Sequence, residues 1–272
     1  MLERITINAP TETDFIKVYK KTFIDLRKPI ERQPIAISKG TYNYKQYTND
    51  IPMLSYGNFM CIVGASKSMK TFFKTALLAC YIGGNSTNYF SDIKGHNSKD
   101  KFVVDFDTEQ GLYHAQKMSL RVCEMIGVKP DFYKSFTLRG LDPKIRMEFI
   151  EWVYLESELR GNIGLCAIDG VADLVDSVLD LDQSNDIIQK LMTITEQTNS
   201  AMITVIHRNF GTQKPTGHLG SAILKKAETV CFVTKTDEGI DVTAEYTRNI
   251  PFENFSFKLD DDFLPKQIEN NF

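Results

Sequence analysis

Residues 59–71 read FMCIVGASKSMKT. The first six form a short apolar run ending on Gly64. A polar loop then leads into Lys70 and Thr71, and KTFFKTALLACYI continues to Ile82 with the length and composition of a buried helix. A loop that follows a strand and opens a helix with Lys-Thr aims backbone N–H groups and one ammonium at an anion. In the pattern G-x-x-x-x-G-K-[ST], Gly64, Lys70 and Thr71 match, and Met69 stands at the second glycine. A register shifted onto Lys67 and Ser68 would put Cys61 and Ser66 at the glycine positions, and it fits worse. Gly64, Ala65, Ser66, Lys67, Ser68, Met69, Lys70 and Thr71 are therefore the candidate phosphate cradle.

Outward from this stretch, strands and helices alternate. KFVVDFD (101–107) reads as a second strand, SFTLRG as a third, IGLCAID (163–169) as a buried one and AMITVIH (201–207) as another. IRMEFIEWVYLESELR and the set Ile187, Ile188, Leu191, Met192 and Ile194 carry helical spacing. The last third reads as antiparallel strands around Asp237-Glu238-Gly239. The pattern predicts an α/β fold: a mostly parallel sheet flanked by helices, with antiparallel C-terminal strands. Before Asn58 the text differs. An amphipathic helix over Thr11 to Lys28 is followed by prolines and the polar, tyrosine-rich GTYNYKQYTND. The expected organisation is an N-terminal arm of helix plus polar linker (1–55), one domain (56–265) and a short tail (266–272).

Two acidic motifs fall at expected strand ends, where ligands of open α/β sheets bind. Asp169 closes IGLCAID, placed to hold the water shell of a phosphate-bound Mg²⁺ beside the Thr71 hydroxyl. Glu109 in VVDFDTEQG is placed to orient an attacking water as a general base.

Composition sets the frame. The 272 residues carry 32 Lys plus Arg against 35 Asp plus Glu, a net charge of −3, so phosphate binding must come from local patches. Five scattered cysteines show no C-x-x-C spacing and support neither disulfides nor zinc. No apolar stretch approaches the ~18 residues of a membrane span. The N-terminus is too acidic and interrupted for a signal peptide. A cytoplasmic, reduced setting without membrane is the expectation.

The ordered set GASKSMKT, FDTEQG, AIDGVADL, VIHRN and GHLGSAILKKAETV resembles the RecA-like P-loop ATPase superfamily over residues 55–260. It looks closest to RepA-type hexameric helicases and related plasmid, phage and mobile-element ATPases. The resemblance implies a RecA-like core, ATP and Mg²⁺ as cofactors, and a homo-oligomeric ring or filament. By motif position it gives Lys70 and Thr71 the P-loop roles, Glu109 the catalytic glutamate and Asp169 the metal-side aspartate. His207 falls where the family places a sensor of the γ-phosphate. Arg248, after a late strand, falls where related rings place a cation that reaches a neighbour's site. Met69 departs from the family glycine.

A single-stranded nucleic-acid partner would meet loops after the late strands. The segment from Asp169 to Asp186 holds six aspartates and no Lys or Arg, which repels phosphate. The next loop offers Arg208, Phe210, Lys214 and His218, a basic-aromatic set suited to single strands; Lys94, Lys99 and Lys101 form a second patch. The expected function is a Mg-dependent ATPase coupling hydrolysis to action on nucleic acid, helicase- or translocase-like, in replication or mobile-element biology. The alternative is an ATP-binding loader or switch with slow or absent hydrolysis, and a third is a scaffold without turnover.

Overall fold

The computed structural model describes residues 14–97, 99–209, 212 and 214–268, in two units divided between Gln33 and Pro34. In the first unit, helix α1 (Phe15–Thr22) starts at Asp14, whose carboxylate accepts from the N–H groups of Ile16 and Lys17 at 3.1 and 3.2 Å. None of its residues is buried.

The second unit corrects the expected linker. Residues 35–55 are a hairpin, β1 (Ile35–Tyr44) and β2 (Tyr47–Ser55), turning at Lys45 with φ of 54°. Its tip is polar, with tyrosines and threonines that suit a pleated edge without supplying apolar surface. The inner half buries Ala36, Ile37, Met53 and Leu54. A short strand, β4 (Ile93–Gly95), completes this small sheet beside β1.

The main sheet has nine strands. Its centre is β3 (Phe59–Gly64), which leads into α2 (Lys70–Ile82). The chain continues through β5 (Phe102–Asp107), α3 (Leu112–Ile126), β6 (Tyr133–Thr137), α4 (Pro143–Leu155), β7 (Ile163–Asp169), α5 (Leu181–Thr198), β8 (Ala201–His207), α6 (Gly217–Lys226) and β9 (Thr229–Lys235). It closes with β10 (Ile240–Thr247), β11 (Phe255–Leu259) and β12 (Pro265–Ile268). Strand order is β12-β11-β10-β9-β3-β8-β7-β5-β6; β9 through β6 run parallel, and β10 to β12 are antiparallel. The expected parallel core with antiparallel C-terminal strands is the observed one. Lys266 to Ile268 pair with β11, so the expected tail begins as a strand. Helix α3 carries Ala115, Val122, Met125 and Ile126 into the core at helical spacing and was not anticipated.

Side-chain alternation fixes the two faces of the sheet. Met60 and Ile62 of β3 join Phe73, Leu77, Val122 and Phe255 on the face covered by α2 and α3. Cys61 and Val63 join Ile150, Leu191 and Ile223 on the face covered by α4, α5 and α6. Phe73, Phe90, Phe255 and Phe257 pack ring against ring at 5.7–6.4 Å and pin the C-terminal strands to α2. No helix among the described residues is long and apolar enough to cross a membrane.

Candidate functional site

Parallel pairing brings the carboxyl ends of four strands to one edge. Gly64 is in register with His207, and Asp107 with Asp169. The strands thus deliver the 64–71 loop, the 107–110 turn, Asp169 and His207 to one place. A pocket of about 320 Å³ there is lined by Ser66 to Phe72, Glu109, Gln110, Met118, Asp169 and His207. A larger cavity of about 780 Å³ lies among Tyr56, Tyr81, His96 and Lys101, away from these strand ends. The smaller pocket gathers the candidate loop and the acidic side chains, which makes it the candidate site.

The 64–71 loop is tight. A Cβ at Gly64 would sit 2.4 Å from Ser68 Oγ and 2.6 Å from Val233 O, so no other residue fits without displacing backbone. Lys67 is exposed, whereas Lys70 is 7% exposed and folds back under the loop. Its Nζ donates to Ala65 O at 2.8 Å and lies 3.1 Å from His207 Nδ1. The protonated ammonium can only donate, so Nδ1 accepts and the imidazole proton sits on Nε2, 3.1 Å from Glu109 Oε1. Lys70, His207 and Glu109 therefore form one hydrogen-bonded chain across the pocket. Burial pulls the Lys70 ammonium below its usual range, against the opposing pull of Glu109 and Asp169. The hydrogen bond from His207 holds the Glu109 carboxyl below its usual range despite partial burial.

Met69 adopts the left-handed conformation, φ 72° and ψ 23°, at the turn into α2. An L-residue there carries about 1–2 kcal/mol of strain that glycine avoids. The side chain offsets some of this by packing against the core beneath α2. Met69→Gly is expected to change stability by less than about 1 kcal/mol, because relieved strain and added chain entropy oppose each other. Met69→Val, branched at the strained position, should melt several degrees lower, and equal melting of the two variants would refute the strain.

Asp107 Oδ1 accepts from the N–H groups of Glu109 and Gln110 at 3.0 and 2.7 Å, which shapes the turn presenting Glu109. Thr108 Oγ1 lies 2.8 Å from both Asp169 O and Asp173 Oδ2, locking this turn to the end of β7. Burial pushes the Asp107 carboxyl up to about 6, against the nearby Lys74 ammonium. Its folded pKa exceeds its unfolded one, so the folded chain holds the proton more tightly. The stability this group contributes is then full at low pH and falls as pH rises from about 4 through about 6. Asp107→Asn keeps the acceptor and removes the charge. It should stabilise the fold by roughly 2 kcal/mol at about pH 8 and by little at about pH 4. Thermal melts at both values check this; an equal gain at both would point to something other than the charge.

The other expected residues are scattered. Arg208 donates its N–H to Gly64 O at 3.1 Å, at the rim of the site. Lys214 is exposed, and Phe210 lies outside the described residues. His218 lines a separate depression between α5 and α6 with Asn185, Lys225 and Lys226, so it does not share a surface with the pocket. Arg248 is exposed just beyond β10, with its guanidinium on Lys226 O. That is the opposite end of the sheet from Gly64, since Thr247 pairs with Thr229 and Gly64 with Val233.

Neither a protein-family profile nor a curated protein sequence matches the chain. Among solved structures, the crystal structure of the RadB recombinase matches with a TM-score of 0.54 and 17% identity, over 79% of this chain and 93% of that one. The fold is RecA-like. In this RecA-like fold the sequence missed Lys74 and Asp105, both buried next to the pocket, and gave Asp107 a strand end without a role. The period-two pattern of VVDFD could have placed Asp105 and Asp107 on the α2 face with Val103. A lysine one turn after Lys70, inside an otherwise apolar helix, was the matching signal.

Proposed function

We propose that this chain is a Mg²⁺-dependent ATPase that couples hydrolysis to action on single-stranded nucleic acid, of the RepA-like kind found in replication and mobile-element systems. The observation that carries it is the Lys70–His207–Glu109 chain at the mouth of the 64–71 loop. ATP phosphates would lie on the loop's N–H groups, at the positive end of α2. Lys70 would leave Ala65 O for the β- and γ-phosphates, and His207 would follow the γ-phosphate. Glu109, released from His207, would accept the proton of the attacking water. Phe72, whose ring stacks under the Arg121 guanidinium at 3.8 Å, and Met118 give the pocket an apolar wall.

Thr71 and Asp169 both line this pocket, and buried Asp169 Oδ2 accepts no hydrogen bond, so the donor set suits a hard cation that keeps several waters. When bound, Mg²⁺ would neutralise charge on the transferring phosphoryl group. Arg208 and Lys214 would serve nucleic acid beside the site, and Arg248 would complete the site of a neighbouring copy.

The second reading, a loader or switch with slow turnover, draws on Met69 at the glycine position and on the acidic 169–186 segment. Turnover measured with and without single-stranded DNA separates the two. Stimulation by DNA is expected, and its absence with intact ATP binding favours the switch. Glu109→Gln should bind ATP while hydrolysis falls by ~10²-fold or more. Unchanged hydrolysis would remove Glu109 from the mechanism.

A further inference from the structure

Helix α2 buries a second lysine one turn beyond Lys70. Lys74 is 0% exposed, and its Nζ lies 2.8 and 3.1 Å from the two oxygens of Asp105. The Tyr133 hydroxyl donates to Asp105 Oδ2 at 3.2 Å. The same ammonium lies 3.3 Å from Asp169 Oδ2 without making a hydrogen bond to it. Burial alone would pull Lys74 down, but Asp105, Asp169 and Asp107 outweigh it and keep the ammonium charged.

A buried lysine needs a counter-ion, and Asp105 supplies one. The contact with Asp169 goes beyond that need. It attracts the carboxylate from beneath, and because it fills no lone pair it leaves the acceptor capacity intact. Lys74 stands three residues after Thr71, so the two project from one face of the helix. Helix α2 therefore carries both Thr71, which lines the pocket with Asp169, and the ammonium that lies against Asp169.

We propose that Lys74 is a positioning residue for Mg²⁺, holding Asp169 in the orientation that receives the metal's shell. This rests on the ATPase reading above. Partners behind a metal ligand typically contribute 10- to 100-fold in metal affinity or activity.

The test separates this role from simple charge balance. Lys74→Met alone strands Asp105, so the informative protein is Lys74→Met/Asp105→Asn, which removes the buried pair and keeps the Tyr133 contact. Binding of a fluorescent ATP analogue is titrated in chelator and then against Mg²⁺. The double variant should match wild type in chelator and need about tenfold or more Mg²⁺ for half-saturation. Asp105→Asn alone, which keeps Lys74 on Asp169, should titrate like wild type. A folded double variant with unchanged Mg²⁺ dependence, or an equal shift in Asp105→Asn, overturns the proposal. If the double variant does not melt cooperatively, Lys74→Arg, which keeps the charge but moves it, is held to the same tenfold criterion. Wild-type protein that binds the analogue without any Mg²⁺ dependence overturns the ATPase reading itself.

Discussion

Lys70→Ala should lose ATP hydrolysis by a factor on the order of 10³, while Lys67→Ala keeps most of it. The two lysines flank Met69 and Ser68, and sequence spacing alone leaves a choice between them. Geometry separates them. Lys70 is buried under the loop with its ammonium between Ala65 O and His207, whereas Lys67 points to solvent at φ 61°. A desolvated cation next to a pocket is worth far more to a phosphate than a hydrated one. The substitution should spare the fold, since Lys70 holds no carboxylate by a direct hydrogen bond and its loss strands no buried charge. Its two partners, a carbonyl and an imidazole, can take water from the open pocket. A dead Lys67→Ala beside an active Lys70→Ala would mean that the loop works in the other register. Steady-state turnover, with melting curves to confirm both folds, decides between them.

The parts of the site that follow from strand ends were legible in the sequence. Gly64, Asp169 and His207 each close an apolar run, and parallel pairing sets such ends side by side whatever the intervening helices do. Glu109 was legible for the same reason, two residues past Asp107. What stayed hidden depends on contacts between elements distant in sequence. Lys74 reads as an oddity in an apolar helix until β5 brings Asp105 beneath it, 31 residues later. The hairpin at 35–55 stayed hidden because its tip is polar and only its base, Ala36 and Ile37 against Met53 and Leu54, is buried. Helix α3 went unread because exposed Leu112, Tyr113 and Leu120 interrupt its apolar stripe. His218 was grouped with Arg208 by nearness in sequence, yet the turn at Thr216 and Gly217 carries it into the first turn of α6 and away from the pocket.

Arg248→Ala should bind ATP with unchanged affinity and hydrolyse it about 10³-fold more slowly, if copies of this chain share their sites. Within one chain Arg248 cannot serve its own pocket. Thr229, across from Thr247, and Val233, across from Gly64, lie four residues apart on β9, about 13 Å of strand. The guanidinium also starts from the far edge, on Lys226 O. An arginine so placed can reach phosphate only on a second copy, where it would stabilise charge as the γ-phosphoryl group leaves. Its exposure leaves it free to be covered by such a contact, and its single carbonyl partner is easily exchanged for water or phosphate. Specific activity should then rise with protein concentration as copies associate. Mixing Arg248→Ala with Lys70→Ala should restore part of the turnover, because some interfaces then pair an intact loop with an intact arginine. Neither variant alone can form such an interface, so recovery on mixing has no explanation within a single chain. Activity independent of concentration and indifferent to Arg248→Ala would confine the chemistry to one protomer and leave Arg248 a surface residue tied to the end of α6.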